Sequence, residues 1–148
     1  MPERASPRGY VLSFDFGLKR IGVAVGQAAT RTASVLETVA HRDAPDWDAI
    51  DRLVKEWQPE LFVVGLPLDI SGEESDMSRA ARKFGDALAE RYDRDCVFAD
   101  ERLSSRAAQS RFVEMRADGN LKRKHASRLD AMAAQIILEN WLQSLPAD

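Results

Sequence analysis

Two apolar runs stand back to back near the start of the chain, YVLSFDF and RIGVAVG, with only Gly17-Leu18-Lys19 between them. Three residues cannot hold the crossover that a parallel pair needs, so the runs must fold back as an antiparallel hairpin. A third β-rich run, ASVLETVA from Ala33 to Ala40, extends the hairpin to a three-strand meander. The pattern then changes. Asp46 can cap a helix to Trp57, with Ile50, Leu53, Val54 and Trp57 at helical spacing, and Gln58-Pro59 stops it. LFVVGLP is the short continuous apolar run of a strand buried on both faces. Ser75 or Asp76 opens a helix to Tyr92, with Ala80, Phe84, Ala87 and Leu88 inward, and CVFADER reads as a second buried strand that ends in acids. Ser104 or Ser105 caps a further helix to Arg116, and DGNLKRK is a basic turn. A last helix, Ser127 to Leu142, offers Leu129, Met132, Ala133, Ile136, Ile137 and Trp141 to the core.

This order predicts an α/β domain over 10–143: a mixed sheet of antiparallel meander plus parallel strands, with helices on both faces. The expected tails are 1–9 and 144–148. A chain of 148 residues suits one core. No apolar run approaches the roughly 20 residues that span a bilayer. MPERASPRGY lacks the apolar region of a secretory signal. Cys96, the single cysteine, lies in an apolar stretch and is expected in the core, with no disulfide and no cysteine zinc site. A reducing cytoplasm fits.

The puzzle is Asp15, a carboxylate near the end of a strand that should be mostly buried. Glu101 stands just past the end of CVFA, and Asp130 near the start of the last helix. If the strands are neighbours, the three acids converge at one edge. Two unit charges about 4 Å apart repel by about 4 kcal/mol at an effective dielectric near 20. A hard divalent cation would offset this, and two would clamp a phosphodiester. With only His41 and His125 in the chain, a metal–carboxylate nuclease is the economical chemistry. Each acid also has an ordinary use. Asp15 suits a hairpin turn, and Asp100 and Glu101 can solubilise a strand end. Ser127-Arg128-Leu129-Asp130 has the form of a helix capping box.

Charge adds a second strand of evidence. The net charge is −3, yet Arg102 to Arg128 holds eight basic residues and two acids, a local +6. These are Arg102, Arg106, Arg111, Arg116, Lys122, Arg123, Lys124 and Arg128. An anionic polymer on an acidic body would need such an asymmetry, although solvated helix faces give the same count.

The runs VLSFDFGLKRIGVAVG, VVGLPLDISG, FADERLSSRAAQ and LDAMAAQIILENWL, in this order, resemble the YqgF/RuvX family of RNase H-like nucleases, described as pre-16S rRNA nucleases and as Holliday junction resolvases. The resemblance runs from Tyr10 to Leu142. It implies an RNase H-like fold and a catalytic, metal-binding trio at Asp15, Glu101 and Asp130, holding Mg²⁺ or Mn²⁺ as two ions. The alanines 131, 133 and 134 after Asp130 would let the helix approach the sheet closely. Leu18 departs from the family, standing where a small hydroxyl residue is expected; Ser104-Ser105 is a mild departure. Lys19, Arg20, Arg102, Arg106, Lys122, Arg123, Lys124 and Arg128 are candidate phosphate contacts, Arg102 foremost. Gly65-Leu66-Pro67 and Gly72 could shape a substrate-facing loop.

The implied function is metal-dependent phosphodiester hydrolysis in structured nucleic acid, in 5′-end processing of pre-16S rRNA or alternatively on four-way DNA junctions, by a monomer or homodimer in the cytoplasm. Two other classes compete. A sugar-kinase or actin-like ATPase also opens with an acid and a glycine-rich hairpin, but needs a second domain for which 148 residues leave no room. A silent RNA-binding assembly module would use the basic patch, but unneutralised acids would repel its RNA.

Overall fold

The computed structural model describes residues 9–67, 75–100 and 123–145, with side chains in the last stretch described from Leu129 onward. The expected helix over Ser104–Arg116, the basic turn and the N-terminal tail to Arg8 lie outside the described residues.

The leading hairpin forms as its short link requires. Strand β1 (Tyr10–Phe16) pairs antiparallel with β2 (Arg20–Gln27), and β2 pairs antiparallel with β3 (Thr32–Ala40). Helix α1 (Trp47–Trp57) is capped by the Asp46 carboxylate, which accepts from the Ala49 amide. It ends where Gln58 turns left-handed before Pro59. Strand β4 (Leu61–Leu66) returns parallel to β1. Ser75 caps helix α2 (Asp76–Tyr92) through a reciprocal box with Ser78, and β5 (Asp95–Asp100) lies parallel to β4. Helix α3 (Arg123–Gln143) follows. The strand order is β3-β2-β1-β4-β5, the predicted meander joined to parallel strands.

Alternation along the strands separates two cores. Leu12, Phe14, Ile21, Val23, Phe62 and Val64 point to one face, where Ile50, Leu53, Val54, Phe84 and Leu88 of α1 and α2 cover them. Val11, Leu61 and Val63 point to the other, against Ile137, Leu138 and Leu142 of α3. Helices therefore cover both faces of the sheet.

Four expectations need correction. β5 is half-buried rather than buried, because it is the edge strand of the sheet, and Cys96 within it is only partly buried. Within α2, Ala81 and Gly85 face inward instead of Ala80 and Ala87. Leu66 is a core residue of β4, 5 % exposed, and not part of a loop; Gly72 lies outside the described residues. The last helix starts at Arg123, so Ser127 is inside it and cannot be its N-cap. Its buried face carries Leu129, Ala131, Ala134, Ile137, Leu138 and Leu142, with Met132, Ala133, Ile136 and Trp141 turned partly away.

Candidate active site

The parallel strands β1, β4 and β5 end at one edge of the sheet, and in open α/β sheets that carboxyl edge is where sites form. Asp15 is the next-to-last residue of β1, paired across the ladder with Gly22. By alternation it shares the α3 face with Val11 and Ser13.

Gly22 explains how Asp130 reaches the same place. A Cβ on Gly22 would lie 1.9 Å from the carbonyl oxygen of Asp130 and 2.8 Å from the amide nitrogen of Ala131. The backbone of α3 thus rests on the bare Cα of β2 at the residue opposite Asp15. Neighbouring contacts hold it there. Buried Ser13 donates its hydroxyl to the Ala134 carbonyl at 2.8 Å, and Ala131 and Ala134 are 5 % and 0 % exposed. These small side chains permit the close approach expected of them.

Arg20, first residue of β2, donates Nε–H to Asp130 Oδ2 at 2.7 Å. The Asp130 side chain is 15 % exposed and the Arg20 side chain 36 %, so the pair is partly shielded from solvent. Arg20, read from sequence as a phosphate contact, is thus a partner of Asp130. Lys19 is exposed at the hairpin tip.

Structure therefore brings Asp15 and Asp130 to one face and one edge. Glu101, Arg102, Arg106 and Lys122 lie outside the described residues, as do the side chains of Arg123, Lys124 and Arg128. Among the described residues there is no cluster of three or more metal-ligating side chains. Asp100 shares its parity with Cys96 and Phe98 and so belongs to the opposite face from Asp15.

The donor chemistry fits a hard divalent cation. Both acids on this face offer carboxylate oxygens. Among the described residues the softer donors are engaged otherwise: the His41 ring packs on Phe16, and Cys96 packs, partly buried, against the α1–α2 core. Burial also pushes the Cys96 thiol up to about 12, which keeps it protonated.

Gly22, Ser13 and His41 were not foreseen as site-building residues. Gly22 had a signal, since an isolated glycine inside a strand pattern marks a close backbone approach. Ser13 and His41 act through tertiary hydrogen bonds that no local pattern announces.

A mixed five-stranded sheet of this order, helices on both faces, is RNase H-like. The solved complex of T. thermophilus RuvC with a Holliday junction superposes on it with a TM-score of 0.52, covering 93 % of this chain and 95 % of that one at 16 % identity. The family model RuvX, described as Holliday junction resolvase, matches residues 9–144, and the chain belongs to that family. A relative from Hydrogenovibrio crunogenus is 49 % identical over 138 residues, 93 % of this chain and 96 % of its own. One from Xanthomonas oryzae pv. oryzae is 46 % identical over 145 residues, 96 % and 94 % of the two chains. Both carry the name "Putative pre-16S rRNA nuclease". The protein is a nuclease of this family, and its substrate is nucleic acid.

Proposed function

We propose that this nuclease hydrolyses phosphodiester bonds in maturing the 5′ end of 16S rRNA, as a cytoplasmic domain over 10–143 acting as a monomer or homodimer, with Asp15, Glu101 and Asp130 as its metal-holding acids. One observation carries the reading. Asp130 is delivered by a backbone-to-backbone contact at Gly22 to the face and edge that Asp15 occupies. An acid needed only for solubility would not require a helix to sit on a bare Cα.

Asp15, Glu101 and Asp130 would hold Mg²⁺ or Mn²⁺, as two ions, which would supply Lewis-acid stabilisation of charge on the phosphate. The chain's own residues do the rest. The β ladder fixes Asp15. Arg20 holds the Asp130 carboxylate in a defined orientation. Lys19, Arg102, Arg106, Lys122, Arg123, Lys124 and Arg128 offer cations to the phosphates that flank the cut. Names of the relatives favour rRNA. The family description keeps the four-way DNA junction as a second reading, although symmetric resolution needs two sites in a two-fold pair.

The test is cleavage of end-labelled substrates with Mg²⁺ or Mn²⁺: a 16S precursor 5′ leader, a four-way DNA junction and plain single strands. Cuts in the leader should dominate. Asp15→Asn and Glu101→Gln should each lose about 100-fold or more, as expected when a ligand to an essential metal is removed. Either variant staying within a few fold of wild type would overturn the assignment of that acid. A stable dimer nicking junctions symmetrically would replace rRNA by DNA as substrate.

A further inference from the structure

Leu18 is 64 % exposed, the most open large apolar side chain among the described residues. It sits on the β1–β2 turn, three positions from Asp15 and two from the Arg20–Asp130 pair. Such a side chain on a loose loop could fold back and bury itself. This turn is not loose. His41 Nδ1 lies 2.7 Å from the Gly17 carbonyl oxygen, which can only accept, so the ring nitrogen carries the proton and donates it. The His41 amide donates to the Lys19 carbonyl at 3.1 Å. The His41 ring packs on Phe16, centroids 5.0 Å apart. Gly17 closes the turn tightly, since a Cβ there would lie 2.6 Å from the Arg20 carbonyl oxygen. The outcome is an apolar tip with exposed Lys19 beside it, braced from behind and set at the catalytic edge.

Resting on the nuclease reading, we propose that this turn is a substrate-contacting finger: Leu18 packs on the face of a nucleobase beside the cut, and His41 is the positioning residue that sets it. Phosphates give an apolar side chain nothing. Bases inside a duplex cover one another's faces, so the contact needs a nucleotide out of the stack. The finger therefore selects nucleic acid that is unpaired next to the scissile phosphate.

Binding is measured in the cleavage-dead Asp15→Asn background, using a 16S 5′-leader oligonucleotide with 2-aminopurine next to the cut, either unpaired or held in a full duplex. Leu18→Thr and His41→Ala should each weaken binding to the unpaired form by about 5- to 10-fold, equal to about 1 to 1.4 kcal/mol, and reduce the 2-aminopurine response. Duplex binding should not change. His41→Asn, which keeps a donor at the Nδ1 position, should restore both signals. The double variant Leu18→Thr/His41→Ala should be no weaker than Leu18→Thr alone, because both act on one contact. If paired and unpaired forms respond alike, or the two losses add, the finger is wrong while the nuclease stands. If wild type neither binds nor cuts any of these nucleic acids, the nuclease reading itself fails.

Discussion

At the scale of single residues, Gly22 is the position where the site is most easily broken. The atoms a Cβ would meet are backbone, which cannot swing aside as a side-chain tip can. Gly22→Ala should push α3 off β2, lower stability by about 1–3 kcal/mol as overpacked cores do, and cut activity by more than tenfold. Denaturant midpoint and cleavage rate, measured together, check this; a variant with wild-type activity would mean that Asp130 need not sit where it does. Cys96 gives a second prediction. Its raised thiol, about 12, predicts slow labelling by a thiol reagent at pH 7–8 in the native state, becoming fast in denaturant. Asp130 also shows where local sequence misleads. Its capping-box pattern is real, but Leu121 to Ala126 contains no helix breaker, so nothing stopped the helix from starting earlier and placing Ser127 inside it.

Elements were legible where their signals were local. The hairpin, the Asp46 cap, the Gln58-Pro59 stop and the Ser75 start all follow from short-range chemistry and all formed. The face of α3 was not legible, because residues 131–138 are apolar apart from Gln135 and leave no polar side to define the opposite one. The sheet made the choice: bare Gly22 and the Ser13 hydroxyl accept only small residues, so Ala131 and Ala134 turned inward. At its far end α3 is held by Arg31, whose guanidinium donates to the carbonyls of Leu142 at 3.0 Å and Leu145 at 2.9 Å. Arg31→Ala should fray that end and lower stability by about 1 kcal/mol, with faster amide exchange over the last turn. On the opposite face, Asp51 joins α1 to α2 by accepting both a guanidinium fork from Arg91 and the Tyr92 hydroxyl. Arg91, and then Tyr92, hold its carboxyl below the usual 3.8. A lowered folded value means that the contribution is present above about pH 4 and is lost as pH falls through the folded value. The pair is exposed, so the effect is small; Asp51→Asn should flatten the slope of Tm against pH below about pH 4.

For the whole molecule, topology was readable because short links and crossovers admit few arrangements, and a meander followed by β-α-β units admits fewer still. The convergence of acids was not, since it rests on a contact between β2 and a helix over a hundred residues later. Convergence has a thermodynamic signature. A cation held by the folded site alone should raise stability by about 1.4 kcal/mol at ten times its Kd, seen as a Tm that climbs with Mg²⁺ in wild type and hardly at all in Asp15→Asn. An equal climb in both would show that the ion binds elsewhere.

The Arg31 tether has a further consequence once α3 is regarded as a lever. Asp130 rides about 18 Å along the axis from Leu142, at 1.5 Å per residue. A tilt of only about 5° at the tethered end would carry the carboxylate about 1.5 Å, and misplacement on the order of 1 Å can cost a factor of 100 in rate. An arginine in the β2–β3 turn, at the far end of the helix from Asp130, is thereby placed to decide how well the site is aimed.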